Sequence, residues 1–188
     1  MTHRIAVALL LSFAAGPLAA QELGTAAGKG TIEKLIPGAA GVEPKREQVN
    51  FSPRFAYAYA EGSGPSRSTW IVLTERQPPA KAWAAARDRA QARASWCGTE
   101  KASFVALKLD SQWAVDLYFH CPGDGAVSTE MLSTWNGLPS VDVTFQIRDE
   151  HHLKGTLRTG QGSCPGADGK QAYCTPTGDF TFDVPMSR

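Results

Sequence analysis

The chain has little of what most catalytic machinery is built from. It contains four histidines in 188 residues, and one of these, His3, lies in the N-terminal stretch. It carries no G-x-S-x-G, no H-E-x-x-H, no phosphate-cradling G-x-x-x-x-G-K and no C-x-x-C, so the common hydrolase, metalloprotease, nucleotide and redox signatures are all missing. Charge of either sign is not in excess: 19 Lys and Arg stand against 18 Asp and Glu, which gives no bulk field to draw the chain to nucleic acid or anionic lipid. Nor does any run reach the roughly 20 apolar residues of a spanning helix. No membrane anchor and no nucleic-acid partner are expected.

What the sequence does have begins with a leader. Arg4 supplies a positive start, residues 5–15 an apolar core, and Leu18, Ala19 and Ala20 a small-residue exit before Gln21, the pattern of an export signal cleaved near Ala20. Residues 1–20 are read as that signal peptide and the remainder as a periplasmic or secreted protein. Four cysteines, Cys97, Cys121, Cys164 and Cys174, follow the leader, and an even number in an oxidising compartment predicts two disulfides. Neighbour pairing, Cys97 with Cys121 and Cys164 with Cys174, closes short loops, each worth about 3 kcal/mol on a chain-entropy model. Residues 21–108 hold 13 basic and 8 acidic side chains against 5 and 10 in residues 109–188. Interleaved strands would mix these charges; a polarised binding surface is the alternative.

Residues 21–50 are rich in Gly, Ala and Pro, with one short apolar cluster at Ile32, Leu35 and Ile36, and are read as a flexible linker or N-terminal arm. A single β-rich domain is expected over 51–188. Phe55, Tyr57 and Tyr59 alternate with alanines, and residues 70–73 are apolar on both faces, as a covered central strand should be. One helix is predicted over 80–97, behind Pro78 and Pro79 and ahead of Gly98, with Trp83, Ala86, Ala90, Ala94 and Cys97 on one stripe. Arg87, Arg89 and Arg93 are then read as a solvated face. Period-2 alternation places Trp113, Val115, Leu117, Phe119 and Cys121 inward, likewise Val141, Val143, Phe145 and Ile147 with Arg148 outward, and finally Phe180, Phe182 and Val184. The expected fold is α+β, mainly antiparallel β: a sandwich or strongly curled sheet with one amphipathic α-helix packed on it.

Candidate sites are few. His151 and His152 follow Asp149 and Glu150 and are weak metal candidates, because a metal needs three or four convergent donors and a polar turn accounts for them better; no cofactor or metal is expected. Asp116, Tyr118 and His120 recur every second residue and form a secondary patch, but steps of roughly 7 Å do not make a hydrogen-bonded pair. Two loops are better binding candidates. Trp135 and Asn136 lie in one, and aromatic loop residues are common interface hot spots. Asp168, Lys170 and Tyr173 lie in the other, which a Cys164–Cys174 bridge would preorganise. The function expected is that of an exported, disulfide-stabilised protein-binding module, such as an inhibitor, an immunity-type protein or an envelope assembly factor, rather than an enzyme. The alternatives are a small-ligand carrier with an aromatic-lined β cavity and, below it, a His-dependent hydrolase or metal-binding protein.

Overall fold

A computed structural model describes residues 23–36, 40–42, 45–100, 102–110, 115–122, 127–133, 141–159, 163–165, 171–173 and 177–187. Twelve strands and two short helices follow one another as β1 (Gly24–Ile36), β2 (Lys45–Phe51), β3 (Phe55–Glu61), β4 (Ser68–Thr74), α1 (Ala80–Ala85), α2 (Arg89–Glu100), β5 (Phe104–Leu109), β6 (Val115–Pro122), β7 (Val127–Ser133), β8 (Val141–Arg148), β9 (His152–Thr159), β10 (Ser163–Pro165), β11 (Gln171–Tyr173) and β12 (Thr177–Ser187). Ten strands form one sheet in the order β7-β6-β5-β4-β3-β1-β12-β9-β8, with β2 paired to β1, while β10 and β11 make a separate two-stranded ribbon. Pairing is antiparallel apart from a short parallel match of Met186 and Ser187 with Ala58 and Tyr59. The sheet curls into a half-barrel, so that β1 comes within reach of β6 across the curl.

Strand alternation divides the apolar residues into two cores. The inner face of the curl holds Phe51, Ala56, Ala58, Ile71, Leu73, Val105, Leu107, Leu157, Phe180 and Val184, each fully buried. The outer face of β3, β4 and β5 holds Tyr57, Tyr59, Trp70, Val72, Phe104 and Ala106, packed under Ala80 and Trp83 of α1 and beside Ala92 and Trp96 of α2. All of β4 is buried apart from the half-covered Thr69, as a continuous apolar run at residues 70–73 requires.

Residues 21–50, expected as a linker or arm, instead carry β1 and β2. The physical reason is the volume of β12. Gly24, Ala26, Gly28 and Gly30 occupy alternate positions of β1, and the rings that would otherwise come from β1 are supplied by Phe180 and Phe182. A Cβ at Gly30 or at Gly178 would lie 2.5 Å or 2.4 Å from Phe180 Cζ. Phe180 in turn meets Phe51 edge-on at 5.6 Å. A strand whose inner positions are glycine and alanine has no hydrophobic alternation to read.

Two further expectations are corrected. The helix expected over 80–97 is broken: Ala86 is extended at φ −69°, ψ 135°, and Asp88 starts a new helix by accepting the Gln91 N–H at 2.9 Å on Oδ1, an N-cap that competes with helix continuation. Gly98 lies inside α2, which runs on to Glu100. The β8–β9 hairpin forms, but its register steps between Phe145 and Ile147, leaving Gln146 as the extra residue of a bulge. Ile147 is therefore level with Lys154 on the outer face, 38% exposed, and Arg148 is level with inner Leu153, its guanidinium 5.8 Å from the centre of the Phe145 ring. The inward series Val141, Val143 and Phe145 holds; Ile147 and Arg148 are exchanged.

At Gly155 an added Cβ would stand 2.5 Å from the Thr144 carbonyl oxygen and 2.8 Å from Phe182 Cζ. Gly155→Val is expected to lower the unfolding free energy by about 1–3 kcal/mol through overpacking, read as a lower urea midpoint with an unchanged slope; an unchanged midpoint would contradict the packing of Phe182 on this glycine.

Candidate functional site

The densest chemistry among the described side chains lies on the outer face, where α2 crosses the aromatic half of β3 and β4. Tyr59 and Trp70 are direct cross-strand partners and stack at 6.2 Å with 13° between their planes. Arg89 and Arg93, one turn apart on α2, reach down onto them. The Arg89 guanidinium lies 4.5 Å from the Tyr59 ring centre and donates to the Ala60 carbonyl oxygen at 3.1 Å. Arg93 sits 4.5 Å from Trp70 and 5.7 Å from Tyr59, and its Nη1 donates to the Tyr59 phenol oxygen. On the far side the Lys108 ammonium is 5.8 Å from Trp70. Cation and ring thus alternate as Arg89, Tyr59, Arg93, Trp70, Lys108. Trp70 Nε1 is satisfied separately, donating to Glu61 Oε2 at 2.9 Å.

This ladder overturns the reading of the arginines as a solvated face. Arg87 is exposed, but Arg93 is only 4% exposed. A guanidinium is weakly hydrated and planar, so it can be buried flat on aromatic rings where an ammonium could not. Like charges four apart on a helix repel; Arg89 and Arg93 hold that spacing because a common aromatic platform lies beneath both. The sequence signal that could have revealed this was the pair of arginines at helical spacing after a strand with a Tyr57, Tyr59 face.

The aromatic packing continues beyond the ladder. Tyr57 contacts Tyr59 at 5.4 Å and meets Trp83 edge-on at 5.7 Å, and Trp83 meets Trp96 at 5.3 Å. Burial pushes the Tyr57 phenol above its ordinary 10.0, opposed by a hydrogen bond with Ser187 and by the charges of Arg89 and Arg93. Beside the Arg89 end an open cleft of about 850 Å³ is lined by Glu61, Arg87, Asp88, Gln91 and Ser95 over alanines of the α1–α2 elbow. Its lining mixes both charge signs.

The sequence candidates are spread across the fold. On β6, Asp116 is paired with Lys108, Tyr118 with Ala106 and His120 with Phe104, which sets this patch at register positions level with the helix-covered face and next to the ladder's Lys108 end. His151 and His152 do not converge. Both backbone N–H groups donate to Asp149 Oδ1, at 2.8 Å and 2.7 Å; the His151 ring pairs with Glu150 at 3.3 Å, while His152 Nε2 lies 2.6 Å from Asp183 Oδ1. Lys154 donates to the other Asp183 oxygen at 2.7 Å, and these two hydrogen bonds hold the Asp183 carboxyl below its ordinary 3.8. Asp149 is lowered in the same direction by its two backbone donors. Among the described residues no group of three or more His, Cys, Asp or Glu side chains gathers to hold a metal. Tyr173 lies on β11 opposite Ser163, and Cys164 opposite Ala172. Trp113, Trp135, Asn136, Asp168, Lys170 and Cys174 lie outside the described residues, as do the leader and its cleavage point. No family model, curated protein or solved structure matches the chain.

Replacing Arg93 by Met keeps the stem and removes the cation. The expected loss is about 2–4 kcal/mol, combining a desolvated cation–aromatic contact with the Tyr59 hydrogen bond, and Arg93→Lys should recover little of it; a Lys variant as stable as the native chain would refute the ladder's geometric role.

The Tyr57 shift carries a sign that can be tested. A phenol raised in the folded state keeps its proton longer there than in the unfolded chain, so its contribution is full below about pH 10 and is lost as pH rises through the folded value. Urea midpoints between pH 8 and 11 should fall steeply for the native chain and less steeply for Tyr57→Phe; parallel curves would show that this phenol is not buried neutral.

Proposed function

We propose that this chain is an exported, disulfide-stabilised module that binds another protein and does not itself catalyse a reaction. The observation that carries the reading is the filled interior of the curl. Phe51, Phe180, Phe182, Leu107 and Leu157 occupy the space where a β-barrel carrier would keep its ligand, each between 0% and 2% exposed. The aromatic residues considered for a carrier cavity serve other ends, since Tyr57 and Tyr59 lie under the helices. That supports a surface binder over a small-ligand carrier. The engagement of His152 by Asp183 and of Asp149 by backbone donors supports it over a histidine-dependent enzyme.

The contact surface in this reading is the loop between Cys164 and Cys174 with Asp168, Lys170 and Tyr173, together with Trp135 and Asn136. The ribbon of β10 and β11 pairs Ser163 with Tyr173 and Cys164 with Ala172, so the two strands that flank the loop run side by side, and in this reading a Cys164–Cys174 bridge holds it rigid. The Cys97–Cys121 pairing is favoured by α2 lying against β6. Cys121 sits past His120, the last β6 residue paired with β5, and is level with Ser128 of β7. Leader cleavage near Ala20 delivers the chain to the periplasm, where both bridges form.

The test uses the mature protein against a periplasmic extract, followed by affinity measurement with the partner recovered. Lys170→Ala with Tyr173→Ala should weaken binding by several kcal/mol in total, since central interface residues are each worth about 2 kcal/mol or more, while alanine at His120, His151 and His152 leaves it unchanged. Digestion of the same preparation without reductant should yield Cys97–Cys121 and Cys164–Cys174 peptides. Histidine variants that lose a turnover, with loop variants unaffected, would replace this reading with an enzymatic one.

A further inference from the structure

A β-sheet that does not close into a full barrel has edges, and an edge strand presents a row of unpaired N–H and C=O groups to any other strand. Here β8 ends the sheet order, and among the described residues it pairs only with β9. Its inner residues Val141, Val143 and Phe145 are half-buried, whereas Leu153 and Leu157 on β9 are 2% and 0% exposed. Among the described residues the edge therefore combines a strand laddered on one side, to β9, with a half-covered apolar strip.

The sequence of β8 is, in addition, self-complementary. Turned antiparallel on itself about Phe145, it would set Asp142 against Arg148 and Val143 against Ile147, an opposite-charge pair and an apolar pair on alternate faces. Such pairing is isologous, so a second copy of the chain fits the edge by a two-fold axis. The bulge breaks this match. With Gln146 extruded, Ile147 moves to the outer face beside Lys154, and Arg148 turns level with Leu153 and over Phe145. Inner Val143 would then face outer Ile147, and outer Asp142 would face a cation at an inner register position.

We propose that the Gln146 bulge and the exposed Arg148 it sets at an inner register position form an edge guard that keeps β8 from pairing with β8 of a second copy. Bulges and charges at inner positions are two separate ways of blunting an edge, and here one extra residue produces both. The proposal does not depend on the protein-binding reading, because it concerns an edge that the chain keeps closed to itself.

Deleting Gln146 together with Arg148→Val gives a regular strand with Val, Val, Phe and Val inward, which, turned antiparallel on itself about Thr144, sets Val143 against Phe145 and Val141 against the valine that replaces Arg148, with Thr144 on the two-fold. Sedimentation velocity across a concentration series should then show a species of about twice the native mass, and Thr144→Cys in that background should crosslink across the two-fold. The native chain should show no such crosslink. Because the deletion touches a strand, Arg148→Val with the bulge intact is measured beside it, and its average mass should rise at the highest concentrations. The proposal is overturned if the folded variants stay at monomer mass, or if native Thr144→Cys already crosslinks through β8.

Discussion

Apolar residues on both faces of β3, β4 and β5 set the constraint to which the rest of the molecule responds. A strand that is apolar on both faces has to be covered twice, and the chain solves the two sides in different ways. The inner side is covered by the sheet itself, whose curl brings Phe180 and Phe182 of β12 and Leu157 of β9 over Ile71, Leu73 and Leu107. The outer side is covered by short helices, which make poor hydrophobic lids, since α2 reads RAQARASWCGTE, with little apolar surface to bury. The aromatic residues beneath it make up the difference by accepting guanidinium groups. Where an ordinary amphipathic helix would bring leucines, α2 brings Arg89 and Arg93, and rings can take either.

The same division explains what could be read in the sequence. Strands whose inner positions are large and outer positions polar, such as Phe180, Phe182 and Val184 of β12, announced themselves through alternation, as did the two-sided apolar run of β4 and the β8–β9 hairpin. The curled antiparallel sheet followed from them. β1 did not, because its inner positions are glycine and alanine and its partner supplies the rings. The break between α1 and α2 was hidden because alanine-rich sequence favours helix on either side of Ala86, and the competing event is a single Asp88 cap. The exchange of Ile147 and Arg148 was hidden because a bulge shifts register without changing composition. Arg89 and Arg93 were misread for a simpler reason: charge at helical spacing normally means solvent, and only the aromatic platform, distant in sequence, reverses that.

Much of the candidate binding surface was defined by residue type and by cysteine spacing, and it falls outside the described residues. What the structure contributes to that question is indirect but physical. It shows an interior already occupied, His151 and His152 already engaged, and a pair of short strands that bring Cys164 level with Ala172. Each of these narrows what the remaining surface has to do.

The pairing of β1 with β12 has a consequence for the order of events in folding. Thr25 to Thr31 lie against Asp183 to Thr177, so the first strand of the described fold is completed only by its last, and the middle of the sheet waits on a contact between segments far apart in sequence. Loop-closure entropy makes contacts so far apart in sequence slow to form. β3 to β7, by contrast, are successive neighbours in the sheet and need far shorter connections to close, so the meander gains its partners first and the β1–β12 seam joins the two halves of the sheet last.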